Sequence, residues 1–124
     1  MDKIEIKKNE QNYSDNQGLN GPKLNHKLSF TLDQHLVAKA NNVLNSFWTI
    51  NNYRFTSFSH LFRETLNALK EKTIEPAAQR NFGVPRKTIT LFLDDELFVF
   101  YNSLPKRKRT EIIEKTLISF LDNL

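Results

Sequence analysis

The sequence predicts a mainly α-helical fold with one short two-stranded β-ribbon, built from two copies of a strand–helix–helix unit. Two stretches of the chain align without a gap at a constant spacing of 61 residues: 26–41, HKLSFTLDQHLVAKAN, and 87–102, KTITLFLDDELFVFYN. A second pair, SHLFRETL from Ser59 and TEIIEKTL from Thr110, repeats at a spacing of 51 residues. Because a single half-apolar strand is not stable alone, we expect the two strands to pair with each other.

Composition limits the classes of protein to which the chain can belong. Its 124 residues and 39% hydrophobic content allow one compact domain or two very small ones. The formal net charge of +4 and the sequence pI near 9.4 are compatible with a polyanionic partner but do not require one. The absence of cysteine excludes a disulfide scaffold and thiolate chemistry. No apolar run reaches the ~20 residues that span a bilayer, and the first residues lack a signal-peptide core, so we expect a cytoplasmic protein with no membrane partner.

The first copy is predicted to occupy residues 26–72. It follows a polar tail, residues 1–25, which cannot bury enough apolar surface to offset its ordering entropy and is expected to be disordered. A half-buried strand comes first, because three apolar residues alternate with polar ones. These are Leu28, Phe30 and Leu32. Asp33 suits a helix start, and helical spacing continues to about Phe47. A second amphipathic helix is expected over about 57–72.

The second copy is predicted to occupy residues 86–124, after a linker of residues 73–85 that contains two prolines and a glycine. A strand over 88–93 again alternates apolar and polar residues. Its inner residues are Ile89, Leu91 and Leu93. A helix over about 94–103 follows, and it should end there because a proline two residues further on disfavours helical geometry before it. The last helix is expected over about 109–122.

This order of elements resembles the ribbon-helix-helix family of DNA-binding proteins (Arc/MetJ-like). The second copy, ITLFLDDELFVFYNSLPKRKRTEIIEKTLISFL, is the closer match, and its LP-x-x-x-RTE turn and IIEKTLISFL helix are the most specific parts. The first copy matches at LSFTLDQHL and SHLFRETLNAL, with an insertion between them. The resemblance covers 24–72 and 86–124. Neither copy has the glycine often found in the inter-helix turn, and Phe92 stands where the family usually carries a polar or basic residue.

The resemblance implies how the two copies assemble. In that family two copies intertwine, with their strands forming an antiparallel ribbon and their four helices forming the core. Because both copies lie on one chain here, the resemblance implies an intramolecular pseudo-dimer. A linker of ~12 residues can reach up to ~40 Å when extended, which is enough to connect the two copies.

Strand alternation identifies the side chains that leave the core. They are Lys27, Ser29, Thr31, Thr88, Thr90 and Phe92. A two-stranded ribbon fits the major groove, where each base pair has a distinct pattern of donors and acceptors, so the resemblance implies that these residues read bases. Lys27 can donate to guanine, the hydroxyl groups can pair with several bases, and Phe92 or the threonine methyls can contact thymine methyls. The alternative is a solvated sheet face, which would leave Phe92 exposed at a cost.

The densest run of positive charge, Lys106–Arg109, lies at the start of the last helix. Cations there destabilise an isolated helix by up to ~1 kcal/mol each, because they lie at the positive end of its dipole. A phosphate bound to the free amides of the first turn would reverse that effect, although a solvated basic turn is the other explanation. The equivalent turn of the first copy has hydroxyl groups and only Arg54 nearby, so weaker contact is expected there. The candidate phosphate contacts are Thr56, Ser57, Arg86, Lys87, Lys106, Arg107, Lys108 and Arg109.

The remaining clusters predict no catalytic or metal site. The three histidines, His26, His35 and His60, do not share metal-ligand spacing and are interpreted as surface or capping residues. The carboxylates of the last two helices are attributed to helix-start electrostatics and solvated faces. They are Asp94, Asp95, Glu96, Glu111 and Glu114. No nucleophile constellation, glycine-rich phosphate loop or HExxH pattern is present, so we expect neither an enzyme nor a cofactor. The aromatic stretch 47–55 either binds a partner or, as we favour, caps the core.

The resemblance implies a non-enzymatic protein that binds double-stranded DNA sequence-selectively through a ribbon in the major groove. We expect a transcriptional repressor of a plasmid, phage or other mobile element. An accessory protein of a plasmid conjugation complex (relaxosome) or of a partition complex is the first alternative. The second is an antitoxin-like protein-interaction module, which the position of the polar tail before the repeats disfavours. Because the strands KLSFTL and TITLFL differ, one chain should read an asymmetric half-site, and a palindromic operator would need a second copy of the protein on the DNA.

Overall fold

The computed structural model describes residues 23–81 and 83–124, so the predicted tail lies outside the described residues except for its last three positions. Within these residues the protein is mostly helical, with four α-helices and a two-stranded antiparallel sheet, as predicted. The elements are β1 (His26–Asp33), α1 (Gln34–Thr49), α2 (Phe58–Lys70), β2 (Arg86–Leu93), α3 (Asp95–Ser103) and α4 (Arg109–Asp122). A 3-10 turn, Lys106–Lys108, leads into α4.

Side-chain caps set three of the helix starts. The carboxylate of Asp33 accepts a hydrogen bond from the His35 amide at the start of α1, and the carboxylate of Asp94 accepts one from the Leu97 amide at the start of α3, both at 2.8 Å. The Ser57 hydroxyl accepts one from the amide of residue 60 at the start of α2. These oxygens satisfy amides that have no partner inside a first helical turn. The predicted helix starts are therefore confirmed, and α1 continues two residues beyond the predicted end.

The sheet buries one of its faces. Its strands pair antiparallel, with Ser29 opposite Thr90 at the centre. The inner face carries the apolar residues named from the sequence, of which Phe30 and Ile89 are half-buried and the others are buried. The buried members are Leu28, Leu32, Leu91 and Leu93. The predicted division between inner and outer side chains is therefore confirmed. It follows from strand geometry, in which successive side chains point to opposite faces of the sheet.

The core lies beneath this sheet and is shared by all four helices. α2 packs against β2, and α4 packs against β1, so each of these helices contacts the strand of the other copy. Leu61 and Leu66 of α2 and Leu117 of α4 have almost no exposed surface. The two halves of the chain therefore contribute to one hydrophobic core.

The aromatic stretch between α1 and α2 closes one end of that core. Phe55 is only 1% exposed, stacks on Phe47 with 5.9 Å between ring centroids, and meets Phe120 edge-on at 6.0 Å. The Trp48 indole donates a hydrogen bond to the Phe55 carbonyl at 2.9 Å. These contacts support the core-capping interpretation of the stretch. Tyr53, at its tip, is exposed.

The segment predicted as a linker follows the surface of α4 and is bonded to it. The Ala77 amide donates to the Lys115 carbonyl at 2.9 Å, and the Arg80 guanidinium pairs with Glu114. Glu114 is only 1% exposed. The interpretation of Glu114 as part of a solvated face is therefore wrong. Its position three residues before Leu117, on the stripe that enters the core, is the signal that predicts burial.

Candidate nucleic-acid interface

The outer face of the ribbon consists of six exposed side chains. In cross-strand order they are Lys27 opposite Phe92, Ser29 opposite Thr90, and Thr31 opposite Thr88. The central hydroxyl groups of Ser29 and Thr90 are hydrogen-bonded at 2.9 Å, which fixes their rotamers relative to each other. Phe92 is 45% exposed, although an aromatic ring on a merely solvated face is unfavourable. The face therefore presents a cation, an aromatic ring and four hydroxyl groups in three adjacent cross-strand pairs.

The dimensions of this face suit a short stretch of duplex. Five strand residues, 27–31, span about 13 Å at 3.3 Å per residue. At 3.4 Å per base pair, that length corresponds to about four base pairs. The major groove is ~12 Å wide and admits a two-stranded ribbon.

The ribbon has two ends, which we name by their outer residues. At the Lys27 end, β1 begins and β2 ends; at the Thr31 end, β1 ends and β2 begins. The Arg63 guanidinium donates to the Phe92 carbonyl at 3.3 Å, which joins α2 to the Lys27 end. The Asp33 amide donates to Glu114 Oε2 at 2.6 Å, which joins α4 to the Thr31 end. Each end is therefore flanked by the second helix of one copy.

The basic run predicted to bind phosphate is divided by the structure. Lys106, Arg107 and Lys108 form the exposed 3-10 turn, and the first turn of α4 has no side-chain cap. Arg109 is turned away from solvent: its guanidinium lies 4.6 Å from the Tyr101 ring centroid and donates to the Leu104 carbonyl at 3.1 Å. Arg109 thus caps the end of α3, and we remove it from the candidate phosphate contacts.

The sequence predicts Arg86 and Lys87 before the second strand, but they are the first two residues of β2, and their surroundings differ. Arg86 Nη2 lies 2.9 Å from Glu114 Oε2 and donates to the Thr31 carbonyl at 3.1 Å. Its guanidinium therefore already has protein partners, which makes it a structural link between α4 and the ribbon. Lys87 is exposed, and no described residue within ion-pair distance neutralises it. Of this pair, Lys87 is the better candidate for phosphate contact.

The start of α2 is less suited to phosphate binding than the start of α4. The Ser57 hydroxyl accepts from the His60 amide at 3.1 Å, and the Thr56 amide donates to His60 Nδ1 at the same distance. Arg54, the nearby cation, lies over the Phe55 ring at 4.7 Å. Because these groups already have partners within the protein, weaker phosphate contact remains the expectation for Thr56 and Ser57.

Among the described residues, the pKa values that shift belong to ion pairs and not to the six outer residues of the ribbon. A hydrogen bond from Lys115 lowers the pKa of Glu111, and a hydrogen bond to Glu71 raises the pKa of Lys70. Lys70, Glu111 and Lys115 are partly exposed, and Glu71 follows the last residue of α2. Among residues 23–81 and 83–124, no group of three or more histidine and carboxylate side chains has the arrangement of a metal site. In the same ranges, no helix combines the length and apolar character required to cross a bilayer.

The chain was compared with models of protein families, with curated proteins and with solved structures, and it matches none of them.

Proposed function

We propose that this protein binds double-stranded DNA sequence-selectively, by inserting the outer face of its β1–β2 ribbon into the major groove. The observation that carries the proposal is the set of six exposed side chains on a two-stranded antiparallel ribbon, together with the exposed cations in the turn that precedes α4. Side chains of this kind can donate to guanine, pair with several base edges and contact thymine methyls. The cations can contact the phosphates beside the groove.

We further propose that the two copies form an intramolecular ribbon-helix-helix pseudo-dimer. Ser29 pairs with Thr90 in the sheet, and these two residues are also equivalent in the sequence repeat. A two-fold axis through an antiparallel ribbon requires this coincidence, because the central residue must face its own equivalent. Thr65 and Thr116, equivalent at the spacing of 51, are both fully buried and each donates its hydroxyl to the carbonyl four residues earlier. These matched details support the two-fold relation.

Intramolecular pairing leads to an expected mass. Because both strands of the ribbon belong to one chain, the free protein should be a monomer of 14.6 kDa. Sedimentation equilibrium at micromolar concentration measures this directly. A dimer that persists on dilution to nanomolar concentration would contradict intramolecular pairing.

The two kinds of proposed DNA contact should respond differently to substitution. Lys27→Ala or Thr90→Ala should weaken binding to the preferred duplex by about 1–3 kcal/mol, with little effect on a random duplex, because base edges differ between the two. Arg107→Ala should weaken binding to both, since phosphates recur along any duplex, and should reduce the salt slope by about one. Electrophoretic shifts at two salt concentrations measure both effects.

A matched control separates position from charge in this experiment. Lys39→Ala removes the same charge as Lys27→Ala, but it lies on α1 and its ammonium pairs with Asp122 at 2.9 Å. It should leave the preference between the two duplexes unchanged. Base reading by the ribbon would be refuted if Lys27→Ala and Lys39→Ala had the same effect on that preference.

For the biological setting we propose a transcriptional repressor of a plasmid, phage or other mobile element. An accessory role in plasmid conjugation or in partition uses the same DNA contact and is the alternative. A reporter gene placed behind the selected duplex distinguishes the two, because a repressor should lower its expression. Exposed Ile50 and Tyr53 are the features that favour an antitoxin-like protein contact instead, which would not require DNA binding at all.

A further inference from the structure

We infer that the two ends of the ribbon differ in charge, and that the phosphate contacts of the protein are concentrated at the Thr31 end. This inference rests on the proposed DNA-binding function and adds a direction to it. A symmetric dimer presents the same charges at both ends of its ribbon. In this chain the two copies differ in charge at equivalent positions, and the differences can be located at one end or the other.

The first difference lies in the helices that follow the strands. α1 starts at the Thr31 end with Gln34 and His35, and its first turn contains no acidic residue. α3 starts at the Lys27 end, where the equivalent positions are Asp95 and Glu96. The side chains of these two acids are 84% and 79% exposed. Carboxylates in this position repel the phosphates of a duplex lying along the ribbon.

Nearby cations neutralise these two carboxylates only in part. Lys70 Nζ lies 3.5 Å from Glu96, but it also pairs with Glu71 at 2.9 Å, so one positive charge faces two carboxylates. Asp95 accepts a hydrogen bond from the His26 ring, which stacks on Phe98. The surface that follows β2 therefore remains acidic.

The second difference lies in the turns that precede α2 and α4. The exposed turn before α4 is Lys106–Lys108, and the equivalent residues before α2, at the spacing of 51, are Phe55–Ser57. α4 is joined to the Thr31 end through Glu114, and α2 to the Lys27 end through Arg63. The basic turn precedes Glu114 by about two helical turns, or about 10 Å.

Both differences make the Thr31 end of the ribbon more positively charged than the Lys27 end. We assign the basic turn to the Thr31 end because α4 is joined to that end through Glu114. Exposed Lys87 and the acid-free start of α1 also lie there, and the acids Asp33 and Glu114 are buried and hydrogen-bonded. At the Lys27 end, Lys27 itself is exposed, but the turn before α2 is uncharged and the start of α3 carries two exposed carboxylates. Phosphates on the flank beside the Thr31 end should therefore contribute most of the salt-dependent affinity.

Tethered cleavage identifies which flank of a preferred duplex lies beside each end. The chain has no cysteine, so Ser59→Cys and Thr110→Cys each provide a single attachment point for an iron chelate. These positions are equivalent in the repeat, and each is the second residue of its helix. The Thr110 conjugate should cut the flank beside the Thr31 end, and the Ser59 conjugate should cut the opposite flank.

Neutral phosphates on each flank then test the inference. Methylphosphonates placed on the flank beside the Thr31 end should weaken binding of the wild-type protein about tenfold or more, whereas the same groups on the other flank should have little effect. Replacing both exposed acids, by Asp95→Asn with Glu96→Gln, should raise affinity at low salt and make the second flank sensitive. Equal losses of affinity from both flanks, or a larger loss from the flank beside the Lys27 end, would overturn this inference and leave the proposed function standing. Failure to select any preferred duplex would overturn the proposed function and the inference with it.

Discussion

Glu114→Ala is expected to destabilise the protein by about 3–5 kcal/mol, because it removes one partner of a buried ion pair. The Glu114 carboxylate is 1% exposed, accepts hydrogen bonds from the Asp33 amide and Arg80, and forms an ion pair with Arg86. Its removal takes this carboxylate from the Arg80 guanidinium, whose side chain is only 17% exposed, and leaves the Asp33 amide without its acceptor. Urea unfolding at constant pH and salt measures the change.

Two further variants show whether the loss comes from the buried ion pair. Glu111→Ala removes an acid one turn earlier on the same helix, where it pairs with Lys115 at the surface, and should leave the urea midpoint nearly unchanged. Combining Glu114→Ala with Arg80→Ala also removes the cation that pairs with Glu114, so the double variant should be less destabilised than the sum of the two single variants. An unfolding midpoint for Glu114→Ala equal to that for Glu111→Ala would contradict the assigned role of Glu114.

Leu91→Ala should have the next largest effect, a loss of about 2–5 kcal/mol, because it opens a cavity in a core shared by both copies. Leu91 is 2% exposed, and it lies on the inner face opposite Leu28. The expected loss is measured by urea unfolding. A single cooperative transition should persist, since the core has no part that belongs to one copy alone.

The neighbouring residue provides the control. Phe92→Ala removes a larger side chain from the same strand, but from the exposed face, and should change stability by less than about 0.5 kcal/mol. The same variant should weaken binding to the preferred duplex. Equal stability losses for Leu91→Ala and Phe92→Ala would contradict the assignment of inner and outer faces, and an isolated fragment 86–124 as stable as the whole protein would contradict the shared core.

The local architecture could be predicted from the sequence because it depends on short periods. Alternation with a period of two assigned the inner and outer faces of both strands, and Asp33 and Asp94 marked helix starts through their capping chemistry. The internal repeat predicted that the two strands pair. Each of these signals lies within a few residues of the structure that it determines.

Contacts between distant polar groups could not be predicted in the same way. Arg80 lies in a segment whose composition is typical of a linker, and only the fold brings it to the buried carboxylate of Glu114. Arg109 belongs by sequence to a basic run, but the end of α3 offers it carbonyl acceptors and an aromatic ring. Long side chains such as these choose among partners that tertiary structure supplies, so charge patterns alone did not separate structural arginines from exposed cations.

Enrichment of bound duplexes from a random pool tests the central claim, that the ribbon face reads base sequence. The wild-type protein should recover one non-palindromic motif with a core of about four base pairs, the length of duplex that the face covers. A variant carrying Lys27→Ala and Thr90→Ala should lose the preference at some of these positions and keep its affinity for random DNA. A pool that stays random with the wild-type protein, or an identical motif recovered by the variant, would contradict the claim.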